Sequence, residues 1–379
     1  MNLCDEHLCT GCGACAEVCT KNAIRLVQKA DGFRRPEIQS GICVGCHICR
    51  NACPIQTKPE FVEPIHTFAA FSKDAAERQK CASGGVATML GKALLQRQGV
   101  VFGVWMEDGV HAKYSFAQNE EELLRFQNSK YVESDLGDSY KQVVDFLKYG
   151  KEVLFIGLPC QVAAMINIIP KALRDGLYTV DLVCHGTPST VLLEQCLKNE
   201  YGDQAVICSF RNAKSQFFMR VNKGNRSFCF PASADLYYRS FIEGYTYRES
   251  CYHCQYAQSK RCSDLTIGDF WGLGKEIPYP YKSEKVSCIL ENTEKGHRLL
   301  AFTSHLLQID ERTLNEAVKQ NGQLLHPSEY SYDAKRYRIL CESIGPYKAV
   351  KKISGIPVRI EKVHWHLACL KRKVLKKLK

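Results

Sequence analysis

Apolar runs of strand length alternate with amphipathic stretches between residue 61 and about residue 200. The runs Val100 to Met106, Val153 to Gly157 and Tyr178 to Val183 are almost free of charge, as expected of strands that are covered on both faces. The neighbouring stretches with helical periodicity lie at 85–98, 120–126, 139–148 and 188–200. This alternation predicts an α/β layer with a partly parallel sheet.

Shorter apolar runs follow in the second half of the chain. They predict an antiparallel meander at 208–211, 217–221 and 227–230, and helices at 294–307 and 312–320. The first 58 residues differ because they are rich in cysteine. We therefore predict an α+β protein, with a small N-terminal domain before an α/β domain that has a mixed sheet and an antiparallel portion. The expected boundaries are 1–58, 61–188, 189–345 and 346–379.

Composition agrees with a folded protein, because 45% of the 379 residues are apolar and 24% are charged. No window holds the roughly 18 apolar residues that a membrane-spanning helix needs. The N-terminus has neither the basic nor the apolar segment of a secretion signal. We therefore expect a cytoplasmic location, where cysteines stay reduced or bind metals.

Positive charge is concentrated at the C-terminus, where residues 346–379 hold eleven Lys or Arg against one acid, Glu361. The segment is read either as a solvated helix or as a surface for an acidic protein or the inner face of an anionic membrane. Its apolar side chains fall near one helical face, namely Leu367, Leu370, Val374 and Leu378. The lysines that largely avoid this face are Lys371, Lys373, Lys376 and Lys377. Nucleic acid is not an expected partner, because the segment carries no recognition motif.

Two cysteine runs provide the strongest chemical signal. The first is Cys9-x2-Cys12-x2-Cys15-x3-Cys19, and the second is Cys43-x2-Cys46-x2-Cys49-x3-Cys53 followed by Pro54. Three thiolates at this spacing bind one [4Fe–4S] cluster, and the fourth binds the other cluster. The predicted ligand sets are Cys9, Cys12, Cys15 and Cys53 for the first cluster, and Cys43, Cys46, Cys49 and Cys19 for the second. A pair of zinc knuckles is the alternative, but zinc patterns favour paired Cys-x2-Cys units.

Four further cysteines follow strand-like runs or form a Cys-x2-Cys unit. They are Cys160, Cys184, Cys251 and Cys254. Loops after parallel strands gather at one edge of a sheet, so these thiols can converge there. Spacing alone leaves three interpretations open: buried apolar thiols, half of a zinc site, or a redox dithiol.

At these motifs the chain resembles the family of coenzyme F420 hydrogenase/dehydrogenase beta subunits with an N-terminal ferredoxin domain. The matching motifs include Ser83-Gly84-Gly85, Ser129-Lys130-Tyr131-Val132, Gly157-Leu158-Pro159-Cys160-Gln161, Cys184-His185-Gly186, Cys251-x2-Cys254 and Gly268-Asp269-Phe270-Trp271-Gly272. The resemblance implies a third [4Fe–4S] cluster beside FAD, bound by Cys160, Cys184, Cys251 and Cys254. Cys262 is the reserve ligand. The thiols expected to be structural are Cys81, Cys208, Cys229, Cys288, Cys341 and Cys369.

The resemblance also implies the flavin contacts. Ser83, Gly84 and Gly85 open a helix, where backbone N–H groups can bind a phosphate, although an ordinary helix cap is the alternative. Lys130 is the expected cation nearby. Asp269 and Trp271 are read either as flavin contacts or as parts of a packed turn. His185 is a candidate proton relay or a hydrogen-bonding spacer. No Gly-x-Gly-x-x-Gly opens a helix after a strand, which disfavours direct nicotinamide chemistry.

These observations together predict an iron–sulfur flavin oxidoreductase. Electrons would pass between the clusters and FAD, and a hydride would pass to or from coenzyme F420 or another organic substrate. The expected partner is a redox protein or a small-molecule electron carrier. Two alternatives stay open: a non-catalytic electron-transfer subunit that serves a partner enzyme, and a reductase of surface-polysaccharide biosynthesis.

Overall fold

The computed structural model describes residues 3–282 and 284–377, with side chains as far as Lys371. The strands are β1 Ile24–Gln28, β2 Arg34–Ile38, β3 His66–Ser72, β4 Val100–Met106, β5 Ala112–Ala117, β6 Ser134–Asp135, β7 Val153–Gly157, β8 Leu177–Leu182, β9 Val206–Arg211, β10 Phe217–Lys223, β11 Arg226–Pro231, β12 Leu265–Asp269, β13 Ser287–Glu291 and β14 Leu307–Arg312. The α-helices are α1 Ala14–Glu17, α2 Ile48–Ala52, α3 Ala75–Lys80, α4 Val86–Gln96, α5 Glu120–Leu124, α6 Ser139–Lys148, α7 Pro159–Ile168, α8 Thr190–Tyr201, α9 Leu236–Ile242, α10 Glu294–Thr303, α11 Leu314–Lys319, α12 Tyr332–Ile344 and α13 Pro346–Lys377.

In the described part of the chain, nine strands form one mixed sheet in the order β14-β3-β13-β12-β8-β7-β4-β5-β6. Strands β12, β8, β7 and β4 are mutually parallel, whereas β13 pairs antiparallel with both β12 and β3. The predicted α+β class with a mixed sheet is confirmed. Residues 265–312 return to this sheet, so the regions predicted at 61–188 and 189–345 share it.

Helices cover both faces of the sheet. On one face α4 and α10 pack on alternate strand residues such as Val101 and Leu154, and on the other face α6 and α7 pack on Phe102 and Phe155. All four strand side chains are fully buried. Burial on both faces explains why the predicted strands read as continuous apolar runs rather than as an alternating pattern.

The antiparallel meander was predicted correctly and is formed by β9, β10 and β11. It belongs to a second core, which it shares with α8, α9, α12 and the first part of α13. Tyr237, Tyr238 and Tyr337 are among the largest fully buried side chains of this core. The meander therefore lies beside the main sheet with its own helical cover.

The cysteine-rich N-terminal segment folds around the β1–β2 hairpin and the short helices α1 and α2. Both helices contact α7, and α1 also contacts α6. The Tyr140 hydroxyl on α6 donates a 2.9 Å hydrogen bond to the carbonyl of Cys12. Asp31 accepts hydrogen bonds from Arg35 and also pairs with Arg338 of α12. The segment is thus attached to the rest of the protein by side chains from two different layers.

The predicted basic tail is the long helix α13, and its first part is packed rather than solvated. Ala349, Val350 and Val358 are buried in the second core. The predicted positions Lys373, Val374, Lys376, Lys377 and Leu378 lie outside the residues whose side chains are described. Among the described helices, none is both long enough and apolar enough to cross a membrane.

Candidate functional site

The two cysteine runs of the N-terminal segment gather around two recesses. Thiols of the first set line one recess, namely Cys9, Cys12, Cys15 and Cys53. Thiols of the second set line the other, namely Cys19, Cys43, Cys46 and Cys49. The fourth cysteine of each run therefore lies in the recess of the opposite run. The structure brings each predicted ligand set together in this crossed arrangement.

Backbone conformation at the first run depends on glycine. Gly11 has φ of 67° and Gly13 has φ of 74°, in the left-handed region where a side chain is strained. A Cβ atom on Gly11 would lie 2.5 Å from the guanidinium carbon of Arg248. Arg248 is itself paired with Glu133 at 2.6 Å. The glycine spacing thus allows a buried arginine from a distant segment to approach the first ligand loop.

Cys4 is a fifth thiol at the first recess, and it was not among the residues predicted from the sequence. It lines the recess with the predicted ligands. Its thiol hydrogen-bonds with Cys9 and Cys53, and these bonds lower the pKa of both partners to about 6. Cys4 lies outside the repeated spacing, so only its position five residues before the first motif could have drawn attention to it.

The third set of thiols comes from three distant segments. Cys160 lies in the first turn of α7 directly after β7, and Cys184 follows β8. Cys251 lies in a 3₁₀ turn at Glu249–His253, and Cys254 ends that turn. Cys160 interacts electrostatically with each of the other three thiols. The tertiary structure therefore brings together the four residues that the family resemblance implied.

Cys262 occupies a different environment from this third set. Its electrostatic neighbours are Asp181, Arg261 and Asp264, and burial raises its pKa to about 12. Asp181 and Arg261 form a buried ion pair of 3.0 Å between β8 and the loop that carries Cys262. The surroundings of Cys262 are thus occupied by a carboxylate–guanidinium pair rather than by the other thiols.

The chemistry of the third set fits a thiolate-bound metal centre. Burial raises the pKa of all four thiols, to about 11 for Cys254. Deprotonation without a metal is therefore unfavourable, whereas bound iron or zinc stabilises thiolates. Within the described residues, no three Cys, His, Asp or Glu side chains are arranged to hold a single metal ion. The four thiols are neighbours, but they are not arranged around the position of one metal ion. Measuring iron and zinc per chain distinguishes a cluster from a zinc site.

The first and third sets are adjacent in space. The thiol of Cys160 interacts electrostatically with Cys12, which belongs to the first set. Tyr140 and Tyr256 are each influenced by both Cys12 and Cys160. Because the first and second sets share the N-terminal segment, the three sets form a sequence of neighbouring sites. Such proximity is what stepwise electron transfer requires.

Strand topology places Ser83 and Asp269 at the same edge as the third set. Strands β3, β12, β8 and β7 run in the same direction, so their carboxyl ends share one edge of the sheet. Asp269 ends β12, and Ser287 pairs with it across the sheet. The hydroxyl of Ser287 donates to Ser83, at 3.2 Å. This edge is where open α/β sheets bind ligands.

Arg211 connects the candidate flavin contacts, although it was not among the residues predicted from the sequence. Its guanidinium pairs with Asp269 at 2.7 Å and donates to the hydroxyl of Tyr131 at 2.8 Å. It also lies 4.1 Å from the ring centre of Phe217, on which Trp271 stacks. Arg211 ends β9, so the meander supplies this cation to the main sheet. The sequence provides no signal for this role, because the segment that ends at Arg211 has the pattern of an ordinary strand.

His185 lies within the electrostatic range of the same cluster. The pKa of its imidazole is lowered, mainly by burial. The negative charge of Asp269 opposes this shift, and the positive charge of Arg211 adds to it. Its backbone carbonyl accepts a 2.7 Å hydrogen bond from Ser328. His185 thus follows a thiol of the third set directly in the chain and interacts with the Asp269–Arg211 pair. Both interpretations of His185 stay predictions.

The Ser83-Gly84-Gly85 motif has a packing role that the sequence did not show. A Cβ atom on Gly84 would lie 2.4 Å from the carbonyl oxygen of Ala70, so the loop packs directly on β3. Gly85 has φ of 84° and directly precedes α4 as its N-cap residue, without a side-chain hydrogen bond to the helix. The N–H groups of the first turn of α4 therefore have no capping side chain and could bind an anion.

Lys130 is a half-buried lysine that binds backbone carbonyls. Its ammonium donates to the carbonyls of Phe126 and Gln127, each at 2.7 Å. Burial lowers the pKa of Lys130 to about 7. A nearby anion would restore the charged form, because opposite charge raises the pKa of an amine.

The thiols expected to be structural have varied environments. Cys81, Cys288 and Cys341 are buried, whereas Cys208 and Cys229 are exposed on the meander. Cys369 is half-buried on α13. The exposed pair makes no contribution to a core, which corrects the expectation for those two positions.

Three family models match successive stretches of the chain. Residues 8–57 match the 4Fe-4S dicluster domain. Residues 67–139 match the N-terminal part of coenzyme F420 hydrogenase/dehydrogenase, beta subunit, and residues 150–316 match its C terminus. The beta-subunit models together cover more than half of the chain, and the ferredoxin-like segment precedes them.

Individual relatives match over shorter stretches. The chain is 28% identical over 192 residues to one of the subunits of the F(420)H(2) dehydrogenase of Methanosarcina mazei, covering 47% of this chain and 54% of the relative. It is 35% identical over 69 residues to an uncharacterized polyferredoxin-like protein of Methanocaldococcus jannaschii, covering 16% of this chain and 41% of the relative. The matches thus span about half of those relatives.

One solved structure is also similar to part of the chain. It is a chain of the F420-reducing [NiFe] hydrogenase complex from Methanosarcina barkeri, with a TM-score of 0.49 and 17% identity. The match covers 73% of this chain and 94% of that chain.

Proposed function

The chain belongs to the family of coenzyme F420 hydrogenase/dehydrogenase beta subunits, and from that premise we propose that it is an iron–sulfur flavin oxidoreductase. Two [4Fe–4S] clusters would be held by the N-terminal sets and a third by Cys160, Cys184, Cys251 and Cys254. FAD would bind at the carboxyl edge of the sheet. The substrate would be coenzyme F420 or another organic hydride donor or acceptor, and a redox partner would exchange electrons with the clusters.

A single observation supports this proposal most strongly: the neighbouring thiol sets lead to the carboxyl edge of the sheet. Cys12 of the first set neighbours Cys160 of the third. Cys184 of the third set directly precedes His185, whose pKa is influenced by Asp269 and Arg211. Clusters exchange single electrons, and a flavin interconverts single-electron and hydride chemistry. A continuous arrangement from the N-terminal segment to the sheet edge suits that combination.

The residues at the edge have separate proposed tasks. Arg211 and Lys130 would provide positive charge for the flavin or for an acidic substrate, and the first turn of α4 would receive a phosphate. Trp271 is 39% exposed and stacked on Phe217, so it offers an aromatic surface. Tyr131 would orient Arg211 through the hydrogen bond that it accepts.

Cofactor analysis tests the proposal directly. Protein purified without oxygen should contain iron, inorganic sulfide and FAD, and it should reduce or oxidise a soluble acceptor without a partner. Protein that contains iron but no flavin, and that is inert alone, would instead indicate an electron-transfer subunit. If the protein contains zinc and only enough iron for two clusters, the third thiol set binds zinc rather than a [4Fe–4S] cluster.

A pair of lysine variants tests the location of the flavin. Lys130→Gln should lower the affinity for FAD, because it removes a cation that we propose to contact the flavin. Lys151→Gln is the matched control, since Lys151 also donates to a backbone carbonyl, that of Gln98, but lies at an exposed loop. Equal FAD affinity in the two variants, measured by flavin fluorescence during titration, would place the flavin elsewhere.

A further inference from the structure

An exposed apolar stripe runs along helix α13. Its members are spaced alternately by four and three residues, so they share one helical face. They are Ile356, Ile360, Val363, Leu367 and Leu370. Ile356 is 73% exposed and the others are between 50% and 58% exposed. A contiguous exposed apolar surface of this kind is typical of an interaction site, unlike isolated exposed apolar residues.

Packing on the opposite face fixes the direction of the stripe. Val358 is buried, and the hydroxyl of Ser354 lies 2.6 Å from that of Tyr245. Further along, Trp365 donates a 3.2 Å hydrogen bond from its indole N–H to the carbonyl of Cys229. The helix cannot rotate to bury the stripe without breaking these contacts. The apolar face is therefore held outward by the tertiary structure.

Basic residues border the stripe on both sides. At 3.6 residues per turn, Arg359 lies beside one edge of the stripe and Lys371 beside the other. Both side chains are exposed. Glu361, the one acid in residues 346–379, falls toward the packed face of the helix. The outward surface thus combines an apolar centre with positive borders.

We propose that this face of α13 lies in the surface of a membrane that contains anionic lipid. The apolar side chains would enter the boundary between headgroups and acyl chains, while the basic side chains would contact the headgroups. The stripe covers about 21 Å of helix at 1.5 Å per residue. A second copy of the chain is a poorer occupant, because pairing two such faces would bring two strongly basic helices together.

The proposed membrane surface is separate from the proposed redox site. Helix α13 contacts α8, α9, α12, the 3₁₀ turn at Ala232–Ala234 and the strands β10 and β11. None of these elements carries a predicted metal ligand or a predicted flavin contact. Substitutions on the stripe should therefore leave iron, sulfide and flavin content unchanged. Failure of membrane binding can then be distinguished from failure of the cofactor proposal.

Vesicle sedimentation of the cofactor-loaded protein tests the proposal. The double variant Ile360→Ser/Leu367→Ser removes apolar surface but retains every charge. Tyr149→Ser is the control, because Tyr149 is 84% exposed at the end of α6, outside α13. Native protein and the control should bind vesicles that contain phosphatidylglycerol, and the double variant should bind them at least about tenfold more weakly.

Several results would overturn the proposal. One is the absence of native binding to phosphatidylglycerol vesicles, and another is equal binding by the native protein and the double variant. Equally tight binding to vesicles of pure phosphatidylcholine would contradict the proposed contact between the basic side chains and anionic headgroups. A native dimer that the double variant converts to a monomer, without vesicle binding, would identify a second copy as the occupant.

Discussion

The N-terminal cysteine segment and the carboxyl edge of the main sheet are two regions assembled in different ways. The first draws its thiols from two short runs within residues 9–53. The edge draws its residues from segments between 83 and 271, which meet because parallel strands end there. Local spacing is therefore enough to specify the first region, whereas the second depends on correct strand order and on packing of the meander.

The two regions should therefore respond differently to substitution. A change in a short loop should affect the metal centre that this loop binds. A change at the sheet edge should affect several groups at once. Arg211 pairs with Asp269, both influence His185 electrostatically, and Cys184 of the third set directly precedes His185. The following substitutions test this contrast.

The largest effect is expected for Cys254→Ser. Loss of a ligand at the sheet edge should remove about a third of the iron, and it should also weaken FAD binding, because the third set lies beside the proposed flavin site. Iron and flavin contents per chain, measured after purification without oxygen, check both parts. Full flavin occupancy in this variant would show that the edge does not act as one unit.

Cys12→Ser should have a narrower effect. Cys12 belongs to the first set, so the variant should lose about a third of the iron but retain FAD. The same two measurements apply, and electron paramagnetic resonance of the reduced protein should show the loss of one centre. Unchanged iron would contradict the ligand assignment, and loss of flavin would contradict the independence of the N-terminal segment.

Arg261→Ala should lower the free energy of unfolding of the protein. Arg261 and Asp181 are 2% and 1% exposed, so removing the cation leaves a buried carboxylate without its partner, at a cost of about 3–5 kcal/mol. Chemical unfolding followed by circular dichroism measures this change. Lys260→Ala is the control, because the Lys260–Glu63 pair is exposed and should contribute less than about 1 kcal/mol. Similar losses for the two variants would refute the argument.

Asp31→Asn should have the smallest effect of the four. Burial would raise the pKa of Asp31, but hydrogen bonds from Arg35 outweigh burial and lower it. The stabilisation is therefore complete above the ordinary carboxyl range and is lost only as the pH falls through the lowered pKa. We expect a cost of about 1–2 kcal/mol that is the same at pH 7 and pH 5.

The control for Asp31 is Glu37→Gln, which removes an exposed pair with Lys29 on the same hairpin. It should leave the free energy of unfolding almost unchanged. If the cost of Asp31→Asn shrinks markedly between pH 7 and pH 5, the pKa of Asp31 is not lowered in the folded protein.

Much of the fold was predictable because its signals are local. Strands β4 and β7 and helix α6 have the predicted bounds, and the other predicted helices differ from the observed ones at their ends. Cys160 follows a strand as predicted, and Pro159 at the start of α7 places it in the first turn of a helix, which the sequence analysis did not predict. The return of β12, β13 and β14 to the main sheet could not be inferred, because strand order depends on contacts between distant segments.

Ligand spacing and side-chain periodicity act over a few residues, so the crossed grouping of the N-terminal cysteines and the α/β alternation were predictable from local sequence. Only the tertiary structure placed Cys4 beside Cys9 and Cys53, and Arg211 beside Asp269. It also decided that α13 packs one face on the second core and leaves the other exposed. These features depend on which surfaces remain to be covered once the whole chain is packed, and no local pattern encodes that outcome.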